Sequence, residues 1–307
     1  MVASYLQIEW SQVYLKDKAM TITRIITLIL LVLLSWFLFT VAKNATSTIT
    51  ESEQYKLANA VTSAHRVQAN KARDSYRNPG KTLAFFGIRS DMTVVEVWPG
   101  KGWYTEIIAP FIKSGNGQFI AAGFPQNAGP EWRQTMAKEY QDWMEQSPEQ
   151  YDQVKVVELG PPSYWNLAPS ESVDAIYTFR NVHNWLKGGY ETKMFDTFYK
   201  ALKPGGILGV VDHRARPDTD IETMKTSGYL TEKLVISLAE QAGFVLEAKS
   251  ELNANSLDDT NHPKGVWTLP PTLRLGAKDR EKYLAIGESD RMTLRFRKAD
   301  LKSRNKL

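Results

Sequence analysis

Histidine is scarce in this chain, four residues in 307, so its neighbours show where acid–base chemistry can gather. His183 stands in FRNVHNW, just past a run that reads as a β-strand, and His213 in VDHRAR, at the end of another. If those strands are neighbours, both imidazoles face one cleft at the carboxyl edge of a sheet, with Asp212 and Arg214 beside them. A histidine placed there can take a proton from a hydroxyl or an activated carbon. His183, Asp212 and His213 are therefore the catalytic candidates. The plainer reading of each ring is a neutral imidazole bonded to backbone and holding a loop. His183, Asp212, His213 and Asp290 could together ligate a metal, but they are scattered without a tight spacing motif, so no metal is expected. His65, on a leading helix, reads as structural, and His262, in a polar loop, as exposed. Cysteine is absent, which excludes disulfides, zinc–thiolate sites and a thiol nucleophile.

A second cluster is the turn EVWPGKGW at 96–103, where an acid ends a β-like run and two glycines follow. Gly100 and Gly102 let backbone approach a ligand, and a helix from Trp103 onward would present its first amides there. Glu96 can accept hydrogen bonds from a ligand hydroxyl or amine. Glu96, Pro99, Gly100, Gly102, Trp103 and Tyr104 form the candidate cofactor loop. The substrate candidates are Arg180, Asn181, Asn184 and Trp185 after the fourth strand, with Glu288, Asp290 and Arg291 in GESDRM at 287–292. GESDRM reads equally as an ion-paired turn. In RDSYRNP, Arg73, Tyr76 and Arg77 either cover a cofactor carboxylate or pack the leading helix. Trp185 and Trp267 either line an apolar pocket or belong to the core.

Alternating elements would position these residues. Strands are predicted at MTVVEVW (92–98), QFIAA (118–122), VKVVEL (154–159), VDAIYTF (173–179), ILGVVDH (207–213), FVLEAKS (244–250) and MTLRFRK (292–298). Helical spacing of apolar residues falls at 55–76, 104–112, 131–145, 189–202, 229–242 and 277–286, with a short helix at 81–88. The alternation predicts an α/β, doubly wound, mostly parallel seven-stranded sheet with an antiparallel pair at one edge.

Ahead of this domain, residues 25–42 form an uncharged apolar run of 18 residues, IITLILLVLLSWFLFTVA. At roughly 1.5 Å per residue it just spans a bilayer core. Lys16, Lys18 and Arg24 precede it and Glu51 and Glu53 follow, which puts 1–24 in the cytoplasm and the remainder outside. The run is an uncleaved anchor or a signal peptide. The expected plan is a segment 1–24, an anchor or signal helix 25–42, a linker 43–56, a domain 57–300 and a basic tail 301–307. The domain is expected in the periplasm, either anchored to the inner membrane or released. The basic end LRFRKADLKSRNKL reads as a solvated tail or a contact for acidic lipid headgroups. No basic stripe interleaved with aromatics points to nucleic acid.

Taken together, these motifs resemble the class I S-adenosylmethionine-dependent methyltransferases, whose first motif is an acid followed by alternating glycines. Glu96 matches the acid, Gly100 and Gly102 the second and third glycines, and Trp98 replaces the first. A closer resemblance is to a bacterial family of predicted methyltransferases over roughly 60–298. It rests on VVEVWPGKGWYTEIIAP, RDSYRNP, TFRNVHNW, LKPGGILGVVDHR, GVWTLPP and IGESDRMTLRF. The resemblance implies a Rossmann-like methyltransferase fold, S-adenosyl-L-methionine as cofactor and a small-molecule acceptor. One departure is that the second strand ends QFIAAGFPQN without the acid that holds ribose in most of the superfamily, leaving Gln126 or Asn127 for that task. Alternatives are a ligand-binding protein of the same fold that does not use this cofactor, and a metal-dependent hydrolase.

Overall fold

The computed structural model describes residues 50–299. Seven strands form one sheet: β1 (Thr93–Val97), β2 (Gln118–Gly123), β3 (Lys155–Glu158), β4 (Val173–Phe179), β5 (Leu202–His213), β6 (Phe244–Ser250) and β7 (Arg291–Lys298). Their spatial order is β3-β2-β1-β4-β5-β7-β6. The first five strands pair in parallel, and β7 runs antiparallel to both β5 and β6. The expected antiparallel edge is thus β7 inserted between β5 and β6. Strand order reverses between β1 and β4, which places the carboxyl ends of β1, β4 and β5 around a common crevice.

Alternation along β1 explains the two cores. Val95 and Val97 face Trp185, Phe195 and Phe198 on one side. Val94 faces Leu83, Phe86, Ile107, Ile108 and Phe111 on the other. Each large side chain so buried contributes roughly 1.5–3 kcal/mol relative to exposure.

The leading segment departs from expectation. Instead of one helix over 55–76, helices form at Glu51–Thr62, Gln68–Lys71 and Asp74–Arg77. The Thr50 hydroxyl caps the first helix by accepting the Glu53 amide at 3.3 Å, so helix begins inside the expected linker 43–56. The break follows from buried Arg66, which donates to the Val61 carbonyl at 2.6 Å and pairs with Asp74 at 2.8 Å. His65 Nε2 lies 2.8 Å from the Glu106 carbonyl, and Asn70 donates to the Glu106 carboxylate at 2.9 Å. These bonds dock the segment on the helix Thr105–Lys113 and carry Arg73 and Arg77 over the sheet edge. Asn78, in the left-handed region at φ 41°, then reverses the chain into the helix Pro79–Phe86.

No helix among the described residues is long and apolar enough to cross a membrane. The run 25–42 and the tail 301–307 lie outside the described residues.

Candidate active site

Two corners meet at the crevice, one after β1 and one after β4. At the first, the Trp98 amide continues the β1–β2 ladder by donating to the Ala122 carbonyl at 2.7 Å. Its backbone then turns left-handed at φ 48°. That conformation is rare for a bulky residue and costs on the order of 1–3 kcal/mol. Burial holds it in place. The indole packs 4.6 Å from the Phe124 ring and 6.0 Å from the Trp185 ring, and its Nε1 donates to the Leu159 carbonyl at 2.9 Å. The Arg133 guanidinium lies 4.7 Å above the indole, on its open side. Trp98 therefore fills the hollow between the ends of β1, β2 and β3.

The rest of the glycine loop serves structure. Glu96 points to the opposite face of β1, where it accepts from the Thr105 hydroxyl at 2.7 Å, with Tyr140 Oη 3.0 Å further along. Burial pushes its carboxyl up to about 8, so it is a protonated acid at neutral pH and is not a carboxylate facing a ligand. Gly102 is fixed by packing, because a Cβ there would meet the Trp143 ring at 2.5 Å. Trp103 lies under the Arg77 guanidinium at 4.5 Å, and Tyr104 stacks on Phe179 at 3.5 Å. Only Gly100, at φ 61°, leaves open space where a Cβ would stand. Glu96, Gly102, Trp103 and Tyr104, expected around a cofactor, are instead buried in the core.

The second corner is polar. The Arg180 amide continues the β4–β5 ladder to the Val211 carbonyl at 2.7 Å, and Arg180 too is left-handed, at φ 62°. Asn181 follows, its amide donating to the Val97 carbonyl at 2.8 Å, with the Trp98 carbonyl and Thr178 Oγ1 at 3.5 and 3.3 Å. It therefore ties the two corners together. The helix Val182–Gly188 places His183 above the end of β5.

Fully buried Asp212 lies 2.9 Å from His183 Nδ1 and accepts the backbone amides of His213 at 2.7 Å and His183 at 3.3 Å. A carboxylate at Nδ1 favours the Nδ1–H tautomer and makes Nε2 the acceptor; the Asn184 side-chain amide donates to that Nε2 at 3.0 Å and must give way before it takes a proton. This oriented carboxylate–imidazole pair is the arrangement used by general bases. The His213 ring centroid lies 5.1 Å from that of His183, and its Nδ1 lies 2.5 Å from Ser289 Oγ. Burial, then His183, Arg291, Arg180 and Arg77, hold His213 well below the ordinary histidine value, so it stays neutral.

Those arginines form the wall of the corner. Arg73 and Arg77 reach Glu288 at 2.6 and 3.1 Å, and Arg291 pairs with the same carboxylate. Burial raises the Glu288 carboxyl, but Arg291, Arg77, Arg73 and Arg180 outweigh it and bring it down to about 2. Half-buried Arg180 makes no side-chain hydrogen bond or ion pair among the described residues.

The crevice thus gathers His183, Asp212, His213, Arg180, Asn184, Glu288 and Arg291. Three expected members fall elsewhere. Trp185 is a core residue with no exposed surface. Asp290 is turned away and accepts from Arg214 Nε and Nη2, one edge of the guanidinium, at 2.9 and 3.0 Å. That pair belongs to a separate groove of about 1140 Å3 beside the helix Glu232–Gln241, whose Arg214 and Lys249 pair with its own acids. Arg214, expected beside the histidines, leaves with Asp290. His262, expected exposed, has a side chain only 4 % exposed, held by Asp258 at 2.8 Å. The sequence reading missed Ser289 and Arg133 entirely. The serine's place between Glu288 and Asp290 was the available signal; Arg133 carried none.

Donor atoms of His183, Asp212 and His213 come within 4.8 Å of one another, close enough for a metal ion. The charge around them argues otherwise, because Arg77, Arg180 and Arg291 all act on His213 and repel a cation. A sulfonium nucleoside also meets an obstacle. The turn offers open backbone at Gly100, but the cavity between it, Phe124 and Glu158 measures only about 20 Å3. A nucleoside does not fit in that cavity, but a second one of about 310 Å3, between Asn70, Lys101, Glu139, Tyr140 and Trp143, borders the same Gly100. Gln126, a candidate for the ribose, is engaged through its amide with Glu158 at 2.7 Å and through its side chain with Gln141.

No protein-family model matches the chain, and no curated protein does. Many solved structures are similar in fold, and two of them serve for comparison. The [4+2]-cyclase SpnF aligns at a TM-score of 0.51 with 15 % identity, over 80 % of this chain and 93 % of that one. A putative sarcosine dimethylglycine methyltransferase from Galdieria sulphuraria aligns at 0.50 with 14 % identity, over 75 % of this chain and 86 % of that one. At such identities the likeness is one of architecture: a seven-stranded, mostly parallel, Rossmann-like sheet.

Proposed function

We propose that this chain is a methyltransferase that uses S-adenosylmethionine and acts on a small-molecule acceptor, with His183 as the general base. The observation that carries the reading is the Asp212–His183 pair at 2.9 Å, standing at the strand-order reversal of a sheet shared with the putative sarcosine dimethylglycine methyltransferase. A bound donor would supply an electrophilic methyl group with a good leaving group, so the protein's part is alignment and removal of the acceptor's proton. His183 Nε2 takes that proton, and Asp212 stabilises the imidazolium that results. Neutral His213, tied to Ser289, holds the facing wall without adding charge. We place the folded domain outside the cytoplasm, on the charge pattern flanking residues 25–42.

A second reading is favoured by Trp98. Its indole stands where the superfamily's first glycine would be, and fits a protein of the same architecture that binds a different ligand. Calorimetric titration of the full chain with S-adenosylmethionine and S-adenosylhomocysteine separates the two. Micromolar binding of both supports the methyltransferase; no heat and no thermal shift with either leaves the second reading.

A further inference from the structure

Four arginine side chains reach the carboxyl edge of β4 and β5 from separate parts of the chain. Arg73 and Arg77 come from the leading helices, Arg180 from the turn after β4 and Arg291 from the start of β7. Glu288 pairs with three of them. The other carboxylate acting on the group, Asp212, is committed to His183 and two backbone amides. Positive charge is left in excess.

The spare hydrogen-bonding capacity lies on the same groups. Arg73 Nη2, Arg77 Nη2 and Arg291 Nε are buried and find no partner among the described residues. The side chains of Arg77 and Arg291 are only 4 % and 3 % exposed, so solvent reaches little of either. Arg180 has no side-chain partner among the described residues and is held at φ 62° besides. Burial and Arg180 hold the Arg77 guanidinium well below its usual value, and burial and Arg291 bring Arg180 down to about 10.

Like charges crowded at low dielectric, with donors unused, are unfavourable unless something anionic completes them. Guanidinium groups offer paired N–H donors that match two oxygens of one acid, and several together favour a carboxylate or phosphate over a neutral polar group. We propose that Arg73, Arg77, Arg180 and Arg291 seat an oxyanion group, a carboxylate or a phosphate, of the small molecule on which His183 acts. Glu288 is then a positioning residue: it gathers three guanidiniums into one array and leaves Nη2 of Arg73, Nη2 of Arg77 and Nε of Arg291 to a ligand. Calling the anionic molecule the methyl acceptor rests on the reading above; its binding does not.

The test uses the full chain and its Arg180→Met variant, since Arg180 has no side-chain partner whose loss would disturb the fold. Thermal shift and calorimetry are run with inorganic phosphate and with malonate, against chloride at matched ionic strength, with and without S-adenosylmethionine. The expected result is a saturable rise in Tm with at least one oxyanion, the stronger arm identifying the group. In Arg180→Met the Kd for that anion weakens roughly tenfold or more, while the unliganded Tm is unchanged or higher. Equal binding by wild type and variant overturns the proposal, as does the lack of saturable binding by either anion. Displacement of the anion by S-adenosylmethionine would show that the arginines hold the donor's own carboxylate, and overturns the assignment to a second molecule. Anion binding without any S-adenosylmethionine binding sinks the methyltransferase reading and leaves the seat standing.

Discussion

Trp98 and Arg180 stand at equivalent places, each the first residue after a central parallel strand, each bonded onward to its neighbour strand and each forced left-handed, at φ 48° and 62°. Their surroundings are opposite. Trp98 is 4 % exposed, with both faces covered and its one donor satisfied. Arg180 carries a charge and a fork of donors with no side-chain partner among the described residues. A strained backbone beneath a well-packed side chain accounts for itself, because burial repays the strain. Strain beneath a guanidinium without a side-chain partner among the described residues has no such repayment, and it is there that we propose an anion. The two corners therefore divide the crevice into an apolar side closed by its own residues and a polar side left incomplete.

The largest effect expected from breaking this contrast is at Trp98. Replacing it with Gly removes a buried indole but relieves the left-handed strain, for a net loss of about 2–4 kcal/mol in denaturant unfolding. The same variant opens the hollow, so a nucleoside should bind it more tightly than it binds the wild type; an unchanged Kd would show that the hollow is not the nucleoside's place. Glu96→Gln sharpens the picture on the closed side. A carboxyl raised from 4.5 to about 8 on folding adds stability that is full below its unfolded value and is lost as pH climbs toward 8. Wild-type stability should therefore fall across that window by up to about 1.4 kcal/mol per pH unit from this group, and the variant should lack that slope. Urea titrations at both ends of the window measure the difference. The smallest effect is at Arg180, where Gly should be neutral or stabilising by up to about 1 kcal/mol, opposite in sign to Trp98→Gly. A loss at Arg180 comparable to that at Trp98 would erase the distinction between the corners.

The parallel sheet was legible in the sequence because continuous apolar runs such as VDAIYTF and ILGVVDH are what doubly covered strands require. The His183–Asp212–His213 cluster was legible because strand ends fix their own neighbours once the order of strands is guessed. Side-chain direction was not. Asp212 and Asp290 read alike as acids near strand ends, yet one turns to His183 and the other to Arg214. The helix over 55–76 failed for a similar reason: Val61 and Val67 keep helical spacing, but buried Arg66 between them bonds the Val61 carbonyl and forces a bend that spacing alone does not record. Gly102 matched a ligand-loop pattern, but it is needed because Trp143, some forty residues away in sequence, lies against it.

The side-chain amide of Asn181 joins the carbonyl of Val97, the last residue of β1, to a segment that two residues later becomes His183. A backbone shift at Trp98 that displaces the Val97 carbonyl would stretch that bond, and a ligand that draws His183 forward would pull on it from the other end. Occupancy at one corner then alters affinity at the other by the same factor in both directions, so two ligands would bind cooperatively, or compete, without ever touching.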